Sequence, residues 1–123
     1  MSFFERYFAA LDGPEPRSAL ELVSEDLRFA ALFSTDASSQ NRQFLGGRKE
    51  LAAYIEQRGN PGWRHHIMGA AVDDGVELAW GETRYADGRL AATFVGAARL
   101  DADGKLERYI TGRTPAVRLP APD

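Results

Sequence analysis

The chain has 123 residues, 44% of them apolar and 27% charged, and no cysteine. At roughly 100–200 residues per domain this is one compact domain, and the lack of cysteine excludes a disulfide framework, a thiol nucleophile, a cysteine zinc site and an iron–sulfur cluster. Fifteen Lys and Arg against eighteen Asp and Glu give a net charge of −3, with no basic run longer than Arg48-Lys49 and no apolar run longer than Phe29 to Phe33. A nucleic-acid partner and a membrane span of ~20 apolar residues are therefore not expected. The opening Met1-Ser2-Phe3-Phe4-Glu5-Arg6 has no basic residue ahead of its apolar ones, which reads against a secretory signal and makes the cytoplasm the expected location.

Ser2 is a candidate N-cap, and Phe4, Tyr7, Phe8 and Leu11 recur at helical spacing until Asp12-Gly13-Pro14 ends the pattern. A second short helix is predicted from Pro16 through Ala19, Leu20 and Val23. Leu27 to Ser34 alternates as a strand; the polar Thr35 to Arg42 reads as a loop or hairpin tip leading into a short Gln43-Phe44-Leu45 strand. Gly46-Gly47 precedes a third helix, Arg48 to Arg58, which stops at Gly59-Asn60-Pro61-Gly62. Three turn signals, Asp73-Asp74-Gly75, Ala86-Asp87-Gly88 and Asp101-Ala102-Asp103-Gly104, then divide the rest into four long strands, roughly Trp63–Val72, Val76–Ala86, Arg89–Leu100 and Lys105–Arg113. Each contains a glycine, Gly69, Gly81, Gly96 or Gly112, which in long adjacent strands predicts bulges and strong curvature. Residues 1–115 form the expected domain, and 116–123 a proline-rich tail that frays.

Helix, helix, strand pair, helix and a curved meander, carried by Phe4 to Asp12, Leu45 to Tyr54, His65-His66-Ile67 and Leu100 to Tyr109, resemble the nuclear transport factor 2-like superfamily in its SnoaL-like and ketosteroid isomerase-like branch. The likeness runs over about residues 3 to 113. It implies an α+β fold in which three helices pack in the concave face of a strongly curved, mostly antiparallel sheet, forming a cone with a ligand pocket inside. Ketosteroid isomerase uses a carboxylate base with an oxyanion hole made by a tyrosine and a protonated aspartic acid. The resemblance places Tyr7 on that tyrosine's position, but the base position falls on Ala31 and the second donor on Gly96. A methyl group and a hydrogen move no proton, so steroid-type isomerisation through that constellation is not expected. The acidic residue of the SnoaL-type cyclases is missing at Gly96 too.

Other residues must therefore carry any chemistry. Counting from the turn at Asp87-Gly88 predicts that Leu78, Trp80, Glu82 and Arg84 face the cone interior, opposite Phe94 and Gly96; a one-residue slip would put all four outside. Glu82 among aromatic rings would be an acid or base with a raised pKa, and beside Arg84 or Arg113 an ionised anchor. His65 and His66 are neighbours on one strand and point to opposite faces. His66, followed by Ile67-Met68-Gly69, resembles the pocket histidine of dehydratase-like members. Tyr109, Thr111 and Arg113 alternate on the last strand and face the pocket if that strand starts where the resemblance places it, where Arg113 could clamp a carboxylate, and Phe29, Phe33 and Tyr54 complete the expected lining with Phe94. Tyr7, His66 and Glu82 are thus the catalytic candidates for a cofactor-independent acid/base lyase or isomerase acting on a small hydrophobic or carbonyl-bearing metabolite. The alternative is a non-catalytic binding or dimerisation module of the same fold. No metal site is expected, and a homodimer through the outer sheet face is.

Overall fold

The computed structural model describes residues 2–34, 41–117 and 119. Helix α1, Phe3–Leu11, begins as its sequence dictates: the Ser2 hydroxyl accepts from the Glu5 N–H at 3.1 Å while the Glu5 carboxylate accepts from the Ser2 N–H at 3.3 Å. Its apolar positions Phe4, Tyr7, Phe8 and Leu11 are buried along with Phe3. The second helix is a 3-10 helix, Pro16–Leu22, shorter than predicted because Val23 already opens strand β1, Val23–Ser34. The predicted loop falls mostly on residues 35–40, outside the described set, and strand β2 spans Asn41–Gly46. Helix α2 covers Arg48–Arg58, with Glu50 accepting from the Gly47 N–H at 2.7 Å. Strands β3 (Trp63–Asp73), β4 (Val76–Tyr85), β5 (Leu90–Leu100) and β6 (Leu106–Pro115) follow.

The six strands make one mixed sheet in the order β2-β1-β6-β5-β4-β3. All neighbours are antiparallel except β1 and β6, where the first strand of the sheet lies parallel to the last. The architecture is α+β, three helices and a six-stranded mixed sheet. One sheet face contributes Phe29, Ala31, Phe33, Ala79, Phe94, Ala98 and Tyr109 to a core shared with α1, the 3-10 helix and α2. On the other face Leu32, Ile110, Val95 and Leu78 are all exposed, and Ile110 and Leu78 lie either side of Ala97 in cross-strand register. Among the described residues no helix is long and apolar enough to cross a membrane.

Two of the strand glycines mark close approaches. Gly81 has the Phe94 ring and the His66 carbonyl where a Cβ would stand, and Gly69 has the Trp80 ring there, beside a bulge between Ile67 and Gly69. After β6 the Val117 N–H donates to the Thr93 hydroxyl at 2.9 Å and its carbonyl accepts from the same hydroxyl at 2.6 Å.

Candidate functional site

Asp12, the residue that ends α1, sits at the negative end of the helix dipole, a poor place for a carboxylate unless something compensates. Two groups do. Arg58 in the last turn of α2 donates from Nη2 to Asp12 Oδ1 at 3.0 Å, and its Nη1 donates to the Leu11 and Gly59 carbonyls at 3.3 and 3.1 Å. His65 on β3 donates its backbone N–H to Asp12 Oδ2 at 2.7 Å and turns its ring so that Nδ1 lies 3.0 Å from both carboxylate oxygens. The Asp12, Arg58 and His65 side chains are only 6%, 5% and 9% exposed. Phe8 from α1 stacks flat on the imidazole, centroids 4.0 Å apart and planes 1° from parallel, and Phe94 and Trp63 meet it edge-on.

This geometry sets the charges. Burial pushes the Asp12 carboxyl up, but the hydrogen bonds and charge of His65, aided by Arg58, outweigh it and hold the pKa below the ordinary value. Burial lowers the pKa of His65, with Arg58 and Arg113 acting in the same direction and Asp12 only partly restoring it. Near neutral pH the pair is therefore an ionised carboxylate and a neutral imidazole, and the carboxylate fixes the ring proton on Nδ1. Nε2 keeps its lone pair and has no hydrogen-bond partner among the described residues.

His65 lines a small interior cavity of about 30 Å³, walled by Phe29, Phe33, Phe94 and Leu51 and by the polar side chains of Tyr7, Tyr54, Tyr109, Thr111 and Arg113. A space of that size holds about two waters. Tyr7 is 2% exposed. Burial, then the neighbouring Tyr109 and Tyr54, push its hydroxyl far above the ordinary range, and burial does the same for Tyr109, so both are neutral donors. Phe33, Tyr54 and Arg113 also border a wider mouth of about 310 Å³, completed by Arg42, Phe44, Gln57, Arg58, Pro61 and Trp63. The Arg113 guanidinium lies over the rings of Phe33 and Trp63, 4.3 and 4.8 Å from their centroids, and that of Arg58 lies 4.8 Å from the Trp63 centroid.

The structure brings Tyr7, Phe29, Phe33, Tyr54, Phe94, Tyr109 and Arg113 to one cavity. Ala31, the vacant base position of the resemblance, is there as well. It does not bring the other candidates there. Gly81 pairs with the inward Phe94, so Trp80, Glu82 and Arg84 belong to the opposite face, and His66 pairs with Glu82 on that same face. Glu82 is buried nonetheless, its Oε1 accepting from Arg84 Nε at 3.0 Å and Nη2 at 2.6 Å. The expectation of an interior His66 and Glu82 is corrected by a one-residue shift. A bulge at Thr83/Arg84 adds Ala91 to β5 and reverses the facing counted across it, which accounts for Glu82. The expectation for His66 rests on the resemblance instead, and its facing follows from its pairing with Glu82, ahead of the β3 bulge at Ile67/Gly69. Sequence reasoning missed Asp12 and Arg58 altogether. Asp12 read as a helix stop and Arg58 as the basic end of a helix, and the signal that could have found them is a carboxylate at a helix C-terminus, where the dipole opposes it.

No family profile matches the chain, and no curated protein matches it. Solved structures do. A candidate isomerase of the SnoaL-like family from Agrobacterium tumefaciens superimposes with a TM-score of 0.70 at 19% identity, covering 90% of this chain and 93% of that one. A nuclear transport factor 2-like protein of unknown function from Burkholderia xenovorans gives 0.67 at 13% identity over 96% and 84% of the two chains. A protein with a ketosteroid isomerase-like fold from Catenulispora acidiphila gives 0.62 at 12% identity over 89% and 83%. The chain thus has the nuclear transport factor 2-like fold, in the form shared by SnoaL-like and ketosteroid isomerase-like proteins.

Proposed function

We propose that this protein is a cofactor-independent acid/base enzyme of the lyase or isomerase type, with His65 as the proton carrier and Asp12 as its positioning residue. The observation that carries this reading is the buried imidazole held through Nδ1 by an ionised carboxylate, on a residue that lines one cavity together with the neutral Tyr7. In the reaction a proton on the carbon next to a substrate carbonyl passes to Nε2, the C–H electron pair becomes the C=C bond of an enolate, and the carbonyl π pair moves to the oxygen, which Tyr7 steadies by donating a hydrogen bond. The imidazolium then returns the proton. Delivered to another carbon it completes an isomerisation; delivered to a hydroxyl on the next carbon, which leaves as water, it completes an elimination. The candidate isomerase among the structural neighbours is in keeping with this chemistry. The test is proton NMR in D2O over a panel of small ketones, 2-oxo acids and 3-hydroxy carbonyl compounds. The wild type is expected to exchange or eliminate an α-proton faster than buffer for at least one, and His65→Gln to fall to the buffer rate. No rate above buffer, or a rate that His65→Gln retains, overturns the proposal.

A second reading, the dimerisation module, is favoured by one observation: the inner cavity of about 30 Å³ is far below the ~300–1,000 Å³ usual for a ligand pocket. Both readings include a homodimer. Exposed Leu32, Leu78, Val95 and Ile110 on adjacent strands make an apolar face that a second copy would remove from water.

A further inference from the structure

We propose that the mouth beside Trp63 is a carboxylate subsite, so that the substrate is a short organic acid whose carboxylate rests on Arg113 while its reactive carbon reaches toward His65. This rests on the acid/base reading for the second half of the statement only.

The argument starts from what the cations at the mouth are doing. Arg58 is largely engaged: its terminal nitrogens hold Asp12 and two carbonyls, and the Nε left over is buried. Arg113 is not. It forms no ion pair with a carboxylate among the described residues, although it is half-buried and burial lowers its pKa. Two aromatic rings flank it, and the Tyr54 side chain engages it by a hydrogen bond, leaving its other N–H groups for a ligand. Stacking between Phe33 and Trp63 fixes the plane of the guanidinium but uses none of its N–H donors. A pre-oriented, partly desolvated fork without an acid partner suits a planar oxyanion that takes two parallel hydrogen bonds. Arg42, exposed at the rim of the same mouth, adds a positive field to draw an anion in.

Position turns this into a substrate class. Arg113 borders both the mouth and the inner cavity, and His65 borders the inner cavity, close enough for their charges to interact. An acid seated on Arg113 therefore presents its nearer carbons to Nε2. About 310 Å³ in the mouth accommodates a small body, whereas about 30 Å³ beyond it admits only an arm of one or two heavy atoms. The geometry thus selects acids with the labile C–H within a few bonds of the carboxylate, and disfavours long-chain or polycyclic substrates.

Trp63 is a built-in reporter, because it touches Arg113 and only one other tryptophan, Trp80 on the outer face, contributes fluorescence. In a Trp80→Phe background, acetate, crotonate, pyruvate and benzoate are titrated against Trp63 emission, each beside its amide. At least one acid is expected to bind saturably, at least tenfold more tightly than its amide, with affinity falling as salt rises. Arg113→Met is expected to lose that preference, and Arg113→Lys, which keeps the charge but not the fork, to weaken it several-fold; if Arg113→Met does not fold, the lysine variant decides. Saturation by none of the four acids up to about 10 mM, equal binding of acid and amide, or undiminished preference in Arg113→Lys overturns the proposal. His65→Gln separates the two claims. Acid binding retained there while wild-type exchange is absent sinks the acid/base reading and leaves the subsite standing, and exchange of neutral ketones without acid binding does the reverse.

Discussion

Asp12 ties a helix end, a strand and a second helix together through one carboxylate, and its removal separates two effects. Asp12→Asn keeps most of the shape but removes the charge that fixes the imidazole proton; α-proton exchange is expected to fall at least about 10²-fold with the fold intact by circular dichroism. Asp12→Ala leaves Arg58 buried without its anion, and a loss of about 3–5 kcal/mol is expected in denaturant unfolding. The pH dependence has two windows. His65 has a lowered folded pKa, so between its ordinary 6.5 and that value the unfolded chain binds a proton the native one does not, and stability falls as pH drops through this interval. Asp12 is also lowered, so its contribution is full above 3.8 and is lost as pH falls further. Activity should accordingly be flat through neutrality with an acid limb below 6.5; a limb above 7 would contradict the buried neutral imidazole. His66→Ala and Glu82→Gln, both on the opposite face, are expected to leave exchange unchanged.

At the scale of elements, the chain announces its strands more clearly than their facing. The aspartate–glycine turns divide the meander where the structure does, and α2 runs from Arg48 to Arg58 as its pattern predicts. Parity was not legible. Ala91 is the extra residue where β5 passes from Leu90, opposite Arg84, to Ala92, opposite Thr83, and nothing in Leu90-Ala91-Ala92 marks it because both faces of β5 carry small apolar side chains. Counting back from Asp87-Gly88 across that bulge reverses Glu82, Trp80 and Leu78, and a second extra residue, Met68, disturbs the partner strand. The cavity walls were legible because Tyr7, Phe29, Phe33 and Tyr109 are large apolar residues at regular spacing. The Asp12–His65–Arg58 cluster was not, because its members are 46 and 53 residues from Asp12 along the chain. Two substitutions test the local devices. Ser2→Ala removes the cap of α1 and is expected to cost about 1 kcal/mol. Gly81→Ala drives a methyl group into the Phe94 ring and the His66 carbonyl and is expected to cost about 1–3 kcal/mol; an unchanged melting temperature would show that β4 is not packed as described.

For the whole molecule, the unoccupied apolar sheet face makes association the first property to measure. Sedimentation at micromolar concentration is expected to give a dimer, and Val95→Lys with Ile110→Asp a folded monomer that still exchanges protons in D2O if the site belongs to a single copy. A wild-type monomer would remove the basis for the dimer. The parallel pairing of β1 with β6 bears on how the protein comes into being. Between them lie the loop, β2, α2 and the first three strands of the meander, and β6 alone joins β1 and β2 to the remaining strands. On the ribosome β1 to β5 therefore emerge before the sheet can be joined into one, and Arg113, close to the end of that final strand, is among the last residues of the site to emerge. A chain that stops short of Leu106 lacks the strand that pairs β1 with β5 and leaves the facing edges of both open.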